Sequence, residues 1–315
     1  MRAVVINDTQ LELIDRPTPE PGPLDVVVTV HAAGINAADL LQRRGLYPAP
    51  EGWPVDVPGL EMAGVVSDVG AAVHRPLLGR RVCAVVGGGG QATHCVVPSE
   101  HLIFLPDNVG WDEAGGFAET FTTAHDALVT QGRLRANERV LISGANGGVG
   151  TAAVQIAHAL GAHVTAVTRT SEHHEQLHVL GADDTVTLDE VATLARVNVV
   201  LELVGAASLA NAQRILAPRA RVVVIGLGGG SRVELDLRSI MALRASLTGS
   251  TLRARSREEK TEVIERVNEW LVPRWDDGEL RVPLARSFAL NDVNDAYEYF
   301  ATSGKFGKVV LHVDQ

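Results

Sequence analysis

Short runs of β-branched and aliphatic residues, broken by Gly and Pro, fill the first third of the chain. LELI (11–14), DVVVTV (25–30), GVVSDV (64–69), RVCAVV (81–86), THCVV (93–97) and HLIFLP (101–106) have the length and punctuation of strands. GGGG at 87–90 reads as a loop between two of them. From about residue 139 the rhythm changes. RVLIS (139–143) predicts a strand and GTAAVQIAHAL (150–160) a helix, with Ala152, Ala153, Ile156, Ala157 and Leu160 on one face and Gly161 as its stop. AHVTAVT (162–168) predicts the next strand, and SEHHEQLHVL (171–180) a helix with Ser171 as N-cap and Gly181 as stop. VNVVLEL (197–203), a helix near 206–216 and RVVVIG (221–226) continue the alternation. Such alternation implies an α/β fold with a parallel sheet covered by helices. Beyond 255, REEKTEVIERVNEWL (257–271) is amphipathic through Val263, Ile264, Val267 and Leu271; LNDVNDAYEYF (290–300) and GKVVLHV (307–313) predict a last helix and strand.

A chain of 315 residues exceeds the usual size of one core, so two domains are expected, a β-rich one and an α/β one. Apolar residues make up 46% and charged residues 21%, an ordinary globular composition. Two long stretches, 82–99 and 140–168, lack Asp, Glu, Lys and Arg, but glycines and polar residues interrupt both. The N-terminal MRAVVINDTQ has no long apolar region, so neither secretion nor membrane spanning is expected. Cys83 and Cys95 are too few for a disulfide framework or a four-cysteine zinc lobe, which fits a reduced, cytoplasmic setting. The net charge of −10 repels phosphate backbones and disfavours a nucleic-acid partner, while leaving room for a basic pocket around one anionic small molecule.

RVLISGANGGVGTAAVQIA sets Gly144, Ala145, Asn146, Gly147, Gly148, Val149 and Gly150 between a predicted strand and a predicted helix. This is the dinucleotide fingerprint with alanine in its first glycine position. Gly147 lets the pyrophosphate approach, Gly150 lets the helix pack on the sheet, and the helix N-terminus supplies N–H groups and positive potential. Sites for NAD usually carry an acid about 20 residues on, for the ribose 2′-hydroxyl. Here the second strand ends in Thr168, Arg169, Thr170 and Ser171 with no acid at its tip. Arg169 suits a 2′-phosphate, with Ser171, His173 or His174 adding donors, so the expected cofactor is NADPH. VIGLGGG (224–230), with Gly226 and Leu227, ends a strand at the carboxyl edge where such folds bind ligands.

The ordered set of a β-rich first third, GINAADLLQRRGLYP (34–48), PGLEMAG (58–64), GANGGVG (144–150) and GKVVL (307–311) resembles the medium-chain dehydrogenase/reductase superfamily over essentially the whole chain. Within it the sequence is most similar to the zinc-independent, zeta-crystallin-like NADPH:quinone oxidoreductases. The resemblance implies a GroES-like catalytic domain over 1–119 and 256–315, a Rossmann domain over 120–255, and a homodimer formed through the edge near ASLTGST (245–251). It also implies departures from the zinc alcohol dehydrogenases of the superfamily. Asn36 stands where their first cysteine ligand falls, Ala38 replaces the proton-relay hydroxyl, Leu60 replaces the histidine of Gly-His-Glu, and the third ligand position falls near Glu119. Neither an amide nor an aliphatic side chain is a typical zinc ligand.

By the same resemblance Tyr47 presents its phenol to substrate, Thr123 lies near the nicotinamide and Lys308 lies close to the cofactor. Asn36 is a second candidate, as an amide donor to substrate or nicotinamide ribose; its alternative is capping a turn. The expected activity is NADPH-dependent reduction of quinones or related conjugated carbonyls (enones) by hydride transfer without zinc. An enoyl-thioester or alkenal reductase and an NADPH-linked RNA-binding protein are the alternatives. One residue needs a structural answer: Glu61, a carboxylate in apolar, glycine-bracketed VPGLEMAG, requires a partner such as Arg43, Arg44 or Lys308.

Overall fold

The computed structural model describes residues 1–313. The chain divides into two compact units, Met1–Thr122 together with the chain from Leu252 onward, and Thr123–Thr251. The boundaries fall after 122 and 251, where the sequence reading places them after 119 and 255.

The first unit opens with a hairpin of β1 (Arg2–Asn7) and β2 (Gln10–Asp15); β1 is a strand that the sequence reading does not assign. There follow β3 (Asp25–Ile35), α1 (Ala37–Arg43), β4 (Glu61–Val69), β5 (Arg81–Val85), β6 (His94–Pro98), β7 (Ile103–Phe104), α2 (Trp111–Gly115) and α3 (Ala118–His125). In the second unit come β8 (Arg139–Ser143), α4 (Gly148–Ala159), β9 (His163–Thr168), α5 (His174–Val179), β10 (Asp184–Thr187), β11 (Val197–Glu202), α6 (Ala206–Ala212), β12 (Leu216–Val224), α7 (Leu237–Leu243) and β13 (Ser246–Gly249). The chain then returns to the first unit with α8 (Arg257–Asp276), β14 (Leu284–Ala289), α9 (Val293–Ala301) and β15 (Lys308–His312).

Among the described residues the second unit holds one parallel sheet in the order β10-β9-β8-β11-β12-β13. Counted from its first strand this is 3-2-1-4-5-6, the doubly wound order of dinucleotide-binding sheets, whose topological switch lies between β8 and β11. The near-continuous burial of β8, β9 and β11 follows from helices on both faces. The β-rich unit carries a mostly antiparallel sheet in the order β14-β15-β3-β4-β5-β7, with β6 also paired to β3. Its core centres on β3, where Val26, Val28, Val30, Ala33 and Ile35 are fully buried against Met62, Val82, Val309 and Leu311.

Two features of this unit fix the places of important side chains. Pairing of β15 with β3 sets Val309 opposite Ile35, so Lys308 falls beside the residue after Ile35, Asn36. Helix α8 starts at a capping box in which Ser256 Oγ accepts from Glu259 N–H and the Glu259 carboxylate accepts from Ser256 N–H. It buries Val263, Ile264, Val267 and Leu271, the face that the periodicity predicts, together with Trp275. One cap differs from expectation: Ser171 begins a 3₁₀ turn capped by Thr170, and α5 starts only at His174. Thr170 is the residue with extended backbone, which an N-cap requires. Gly161 and Gly181 do end their helices, each with positive φ.

Candidate active site

The β-rich unit gathers four polar groups at the adjoining ends of β3, β4 and β15. Lys308 Nζ donates to Glu61 Oε1 at 2.6 Å, to Asn36 Oδ1 at 2.8 Å and to the Ile35 carbonyl at 3.0 Å. Asn36 Nδ2 donates to the same Glu61 Oε1 at 2.9 Å, closing a ring of three side chains. The other carboxylate oxygen accepts from Glu119 N–H at 2.8 Å. Lys308 is thus the partner that Glu61 requires. Both side chains of this ion pair are almost wholly removed from water, at 3% and 0% exposure. A buried pair holds together only when its remaining lone pairs and protons are also satisfied, and here they are.

An ammonium has three N–H donors. Lys308 spends all three on Glu61, Asn36 and the Ile35 carbonyl. Asn36 gives its carbonyl oxygen and one N–H to the ring. It is the N-cap residue of α1, in a capping box with Asp39, whose carboxylate accepts from Asn36 N–H at 2.8 Å and from Gly59 N–H at 3.0 Å.

Asp39 is fully buried, and loss of solvent pushes its carboxyl up to about 6, against the lowering pull of the Asn36 and Gly59 N–H donors and of the positive charges of Lys308 and Arg253. A carboxyl with a raised folded-state pKa binds its proton more tightly in the native than in the unfolded chain. Its contribution therefore favours folding below about pH 4 and is lost as pH rises to about 6. Unfolding free energy measured across that window should fall by roughly 3 kcal/mol less in Asp39→Asn than in the parent chain. Parallel pH–stability curves for the two proteins would contradict this.

Tyr47 lies on the loop after α1, half-buried, with the Arg253 guanidinium 5.0 Å from its ring centroid. Burial raises the phenol above its ordinary pKa, against an opposing effect from Arg253, so the hydroxyl keeps its proton at neutral pH and is a donor. Arg253, itself buried, donates to the Gly87 carbonyl at 2.6 and 2.9 Å, to the Tyr47 carbonyl at 3.0 Å and to Gln42 Oε1 at 2.6 Å. It clamps the loop carrying Tyr47 to the GGGG loop. No sequence signal marks it as different from the other arginines.

In the second unit, the fingerprint forms the turn from β8 into α4. Gly144 has φ +61°, a left-handed conformation that favours glycine. A Cβ on Gly150 would stand 2.4 Å from the Gly144 carbonyl oxygen and 2.6 Å from Ala145 Cα, both backbone atoms that cannot yield. Ala145 is buried, Gly147 caps α4, and Asn146, Gly148 and Val149 are partly accessible between them. This turn fits a dinucleotide pyrophosphate: backbone without side chains lies at the N-terminus of a 12-residue helix.

Behind the turn is a group that sequence reasoning missed. Glu202, at the end of β11 and fully buried, accepts at Oε1 from Ser143 Oγ at 2.7 Å and from Val204 and Gly205 N–H at 2.8 Å each. Ser143 Oγ in turn accepts from Leu203 N–H at 2.8 Å. These bonds tie β8 to β11 at the switch point. The signal was available: VVLEL is another lone acid in an apolar run, as in VPGLEMAG.

At the tip of β9, Thr168 is buried and joined to His174 Nε2 at 3.0 Å, while Arg169, Thr170 and Ser171 are exposed. Gly226 N–H donates to the Glu202 carbonyl at 3.2 Å just after β12, with Leu227 exposed beyond it. Thr123 is buried in α3.

Comparison with known proteins places these features in a family. Residues 22–132 match the alcohol dehydrogenase GroES-like domain, and residues 148–269 match the zinc-binding dehydrogenase family. A quinone oxidoreductase-like protein 2 homolog of Nematostella vectensis is 30% identical over 100% of this chain and 89% of its own length. The quinone oxidoreductase of Thermus thermophilus, whose structures include a complex with NADPH, is 32% identical with TM-score 0.86, over 99% of this chain and 100% of that one. A thermostable alcohol dehydrogenase of Pyrobaculum aerophilum with bound cobalt and zinc is 28% identical with TM-score 0.85, over 99% of each chain. The chain belongs to the medium-chain dehydrogenase/reductase superfamily, among its quinone oxidoreductase-like members, with a Rossmann sheet and a GroES-like domain. It is an oxidoreductase of a family that binds a nicotinamide cofactor.

The zinc named in one of these family descriptions does not fit the residues present. Leu60 is buried and offers no donor atom, and the Asn36 carbonyl oxygen and both Glu61 oxygens are already bonded within the ring. Among the described residues no three His, Cys, Asp or Glu side chains stand together as a metal site.

Proposed function

We propose that this chain reduces quinones or related conjugated carbonyls with NADPH, without zinc. The observation that carries the reading is the ring of Asn36, Glu61 and Lys308. It already satisfies with an ammonium the carboxylate and amide oxygens that a catalytic cation would need. A reductase without a metal needs an acceptor that spreads incoming charge onto oxygen, and a donor aimed at that oxygen. Tyr47 is that donor, a phenol kept protonated by burial and held from behind by Arg253. The second N–H of Asn36 would donate to the same substrate or to the nicotinamide ribose.

The bound cofactor supplies the hydride. The turn from Gly144 to Gly150 would hold its pyrophosphate, and the backbone at Gly226 and Leu227 its carboxamide, with Thr123 nearby. Arg169, with Thr168, Ser171 and His174, would hold a ribose 2′-phosphate. Exposure of Arg169 and Ser171 at the strand tip supports NADPH. A guanidinium there pairs with phosphate, and no carboxylate competes for the ribose.

A second copy of the chain is the proposed partner. In β13 all four residues are exposed, and the strand ends the parallel sheet with one edge unpaired among the described residues. Both cysteines are free and buried, which agrees with the cytoplasm as the proposed location.

Anaerobic oxidation of NADPH and NADH against a panel of quinones, enones and enoyl thioesters, with metal analysis of the same sample, tests the reading. Turnover of quinones or enones by metal-free protein is expected. Stoichiometric zinc with alcohol-dependent NAD reduction would overturn it, and turnover confined to thioesters would move the substrate class. In the same assay Arg169→Ala should weaken NADPH by roughly tenfold to a hundredfold, as loss of a charge-assisted bond does, and leave NADH nearly unchanged. Equal weakening of both would remove the 2′-phosphate assignment.

A further inference from the structure

A cavity of about 410 Å³ lies inside the β-rich unit, walled by the loop 50–57, the start of β6 and the first turns of α8. It is large enough for a small molecule. None of Asn36, Tyr47, Glu61 or Lys308 lines it.

Its walls are mainly apolar, with Pro50, Trp53 and Pro54 prominent, yet it holds a cation with no counter-ion. Lys260, on the first turn of α8, is 8% exposed. Among the described residues its ammonium has neither an ion-pair partner nor a hydrogen-bond acceptor; it meets the Trp53 face, 5.9 Å from the ring centroid. The acids on the same walls do not serve it: Asp25 is paired with Arg257 at 3.0 Å, and Glu51 is exposed. Burial and the nearby positive charge of Arg253 both work against the ammonium, lowering its pKa. A buried, unpaired charge costs the folded chain free energy, and an anion in the cavity would remove that cost.

A second polar group faces the same problem with the opposite sign. His101, 2% exposed and on the cavity wall, has Nε2 at 3.0 Å from the Arg257 carbonyl. A carbonyl only accepts, so Nε2 carries the proton and Nδ1 is left as an acceptor. Nδ1 is buried and, among the described residues, has no donor. On the same wall Trp53 offers a flat surface, held in place because its ring packs onto Gly87. A Cβ on that glycine would stand 2.4 Å from the indole.

We propose that this cavity binds a small aromatic carboxylic acid bearing a ring hydroxyl. Its carboxylate pairs with Lys260, its ring lies against Trp53 and the prolines, and its hydroxyl donates to His101 Nδ1. Each of these groups answers one unmet requirement of the wall: negative charge, a flat apolar body, and a hydrogen-bond donor.

Calorimetric titration of the whole protein with 3-hydroxybenzoate, 4-hydroxybenzoate, benzoate and phenol tests this. At least one hydroxybenzoate should bind one to one and at least about tenfold more tightly than both benzoate and phenol. Lys260→Met should weaken that acid by about tenfold or more while leaving phenol unchanged. His101→Phe should remove the advantage of the hydroxybenzoate over benzoate. Lys260→Met should also melt at a higher temperature than the parent, since the uncompensated ammonium is gone, and 3- or 4-hydroxybenzoate should raise the melting temperature of the parent only. The ranking of the four compounds on the parent protein stands as a test even if a variant fails to fold. Absence of saturable binding by both hydroxybenzoates in the millimolar range overturns the proposal, as does equal affinity for the acid in the parent and Lys260→Met.

Discussion

Lys308→Met is expected to lose about 3–5 kcal/mol of folding stability, the usual cost of stranding one member of a buried ion pair. Glu61, at 0% exposure, would keep its Asn36 and Glu119 N–H donors but lose the cation bonded to it. Native domains are stable by only about 5–15 kcal/mol, so a loss of this size should be plain in chemical denaturation followed by circular dichroism. The double change Glu61→Gln with Lys308→Met should recover much of it, because no uncompensated charge remains; the Gln oxygen can accept from Glu119 N–H while its NH2 donates to Asn36 Oδ1, which the lysine no longer occupies, once the Asn36 amide flips. A single-variant cost below about 1 kcal/mol would mean that the pair behaves like a surface salt bridge. It would then not be the keystone joining β3, β4 and β15.

Tyr47→Phe should lower kcat on the best quinone or enone by about 10²–10³-fold while changing KM little, because a donor aimed at developing oxyanion charge acts mainly in the transition state. The ring itself should stay in place. Arg253 holds the loop through the Tyr47 backbone carbonyl, and its guanidinium faces the ring and not the hydroxyl specifically. Steady-state kinetics with both cofactors reads this directly. Undiminished turnover on every acceptor would leave Tyr47 as a wall residue and remove the proposed donor.

Features carried by local chemistry were legible in the sequence. The strand–turn–helix at 139–160 is written in short-range terms: a buried apolar run, glycines where backbone crowds backbone, and an alanine-rich helix face. Helix α8 is equally local, with its Ser256–Glu259 capping box and a face of Val263, Ile264, Val267 and Leu271. The Ser171 cap failed because two hydroxyl residues are adjacent there. Which of Thr170 and Ser171 is extended depends on how the chain leaves β9, and composition does not record that. The strand β1 was missed although β2 follows it directly, because the turn between them is made by Asp8 and Thr9, both at positive φ, without the glycine that marks such a hairpin in a sequence.

The candidate site divides along the same line. That Glu61 needs a partner followed from its type and its apolar neighbours, but three cations were open to it. The antiparallel register of β15 on β3 chose Lys308, 247 residues away, and denied it to Arg43 and Arg44. Glu202 carried the same signal and went unread, while Arg253 carried none: a surface arginine and one spending its donors on two loop carbonyls and a helix side chain look alike in a sequence. Lys260 reads from sequence as one more polar position of an amphipathic helix. Only the fold shows it buried beside Trp53 without an acid.

By itself, then, the sequence determined the two-domain α/β class and the dinucleotide turn. Each of these follows from residue type and spacing within a few turns or strands. Only the tertiary structure decided where charges end up. An ion pair is a relation between two places, and the energy of a buried charge depends on which distant strand or helix arrives beside it.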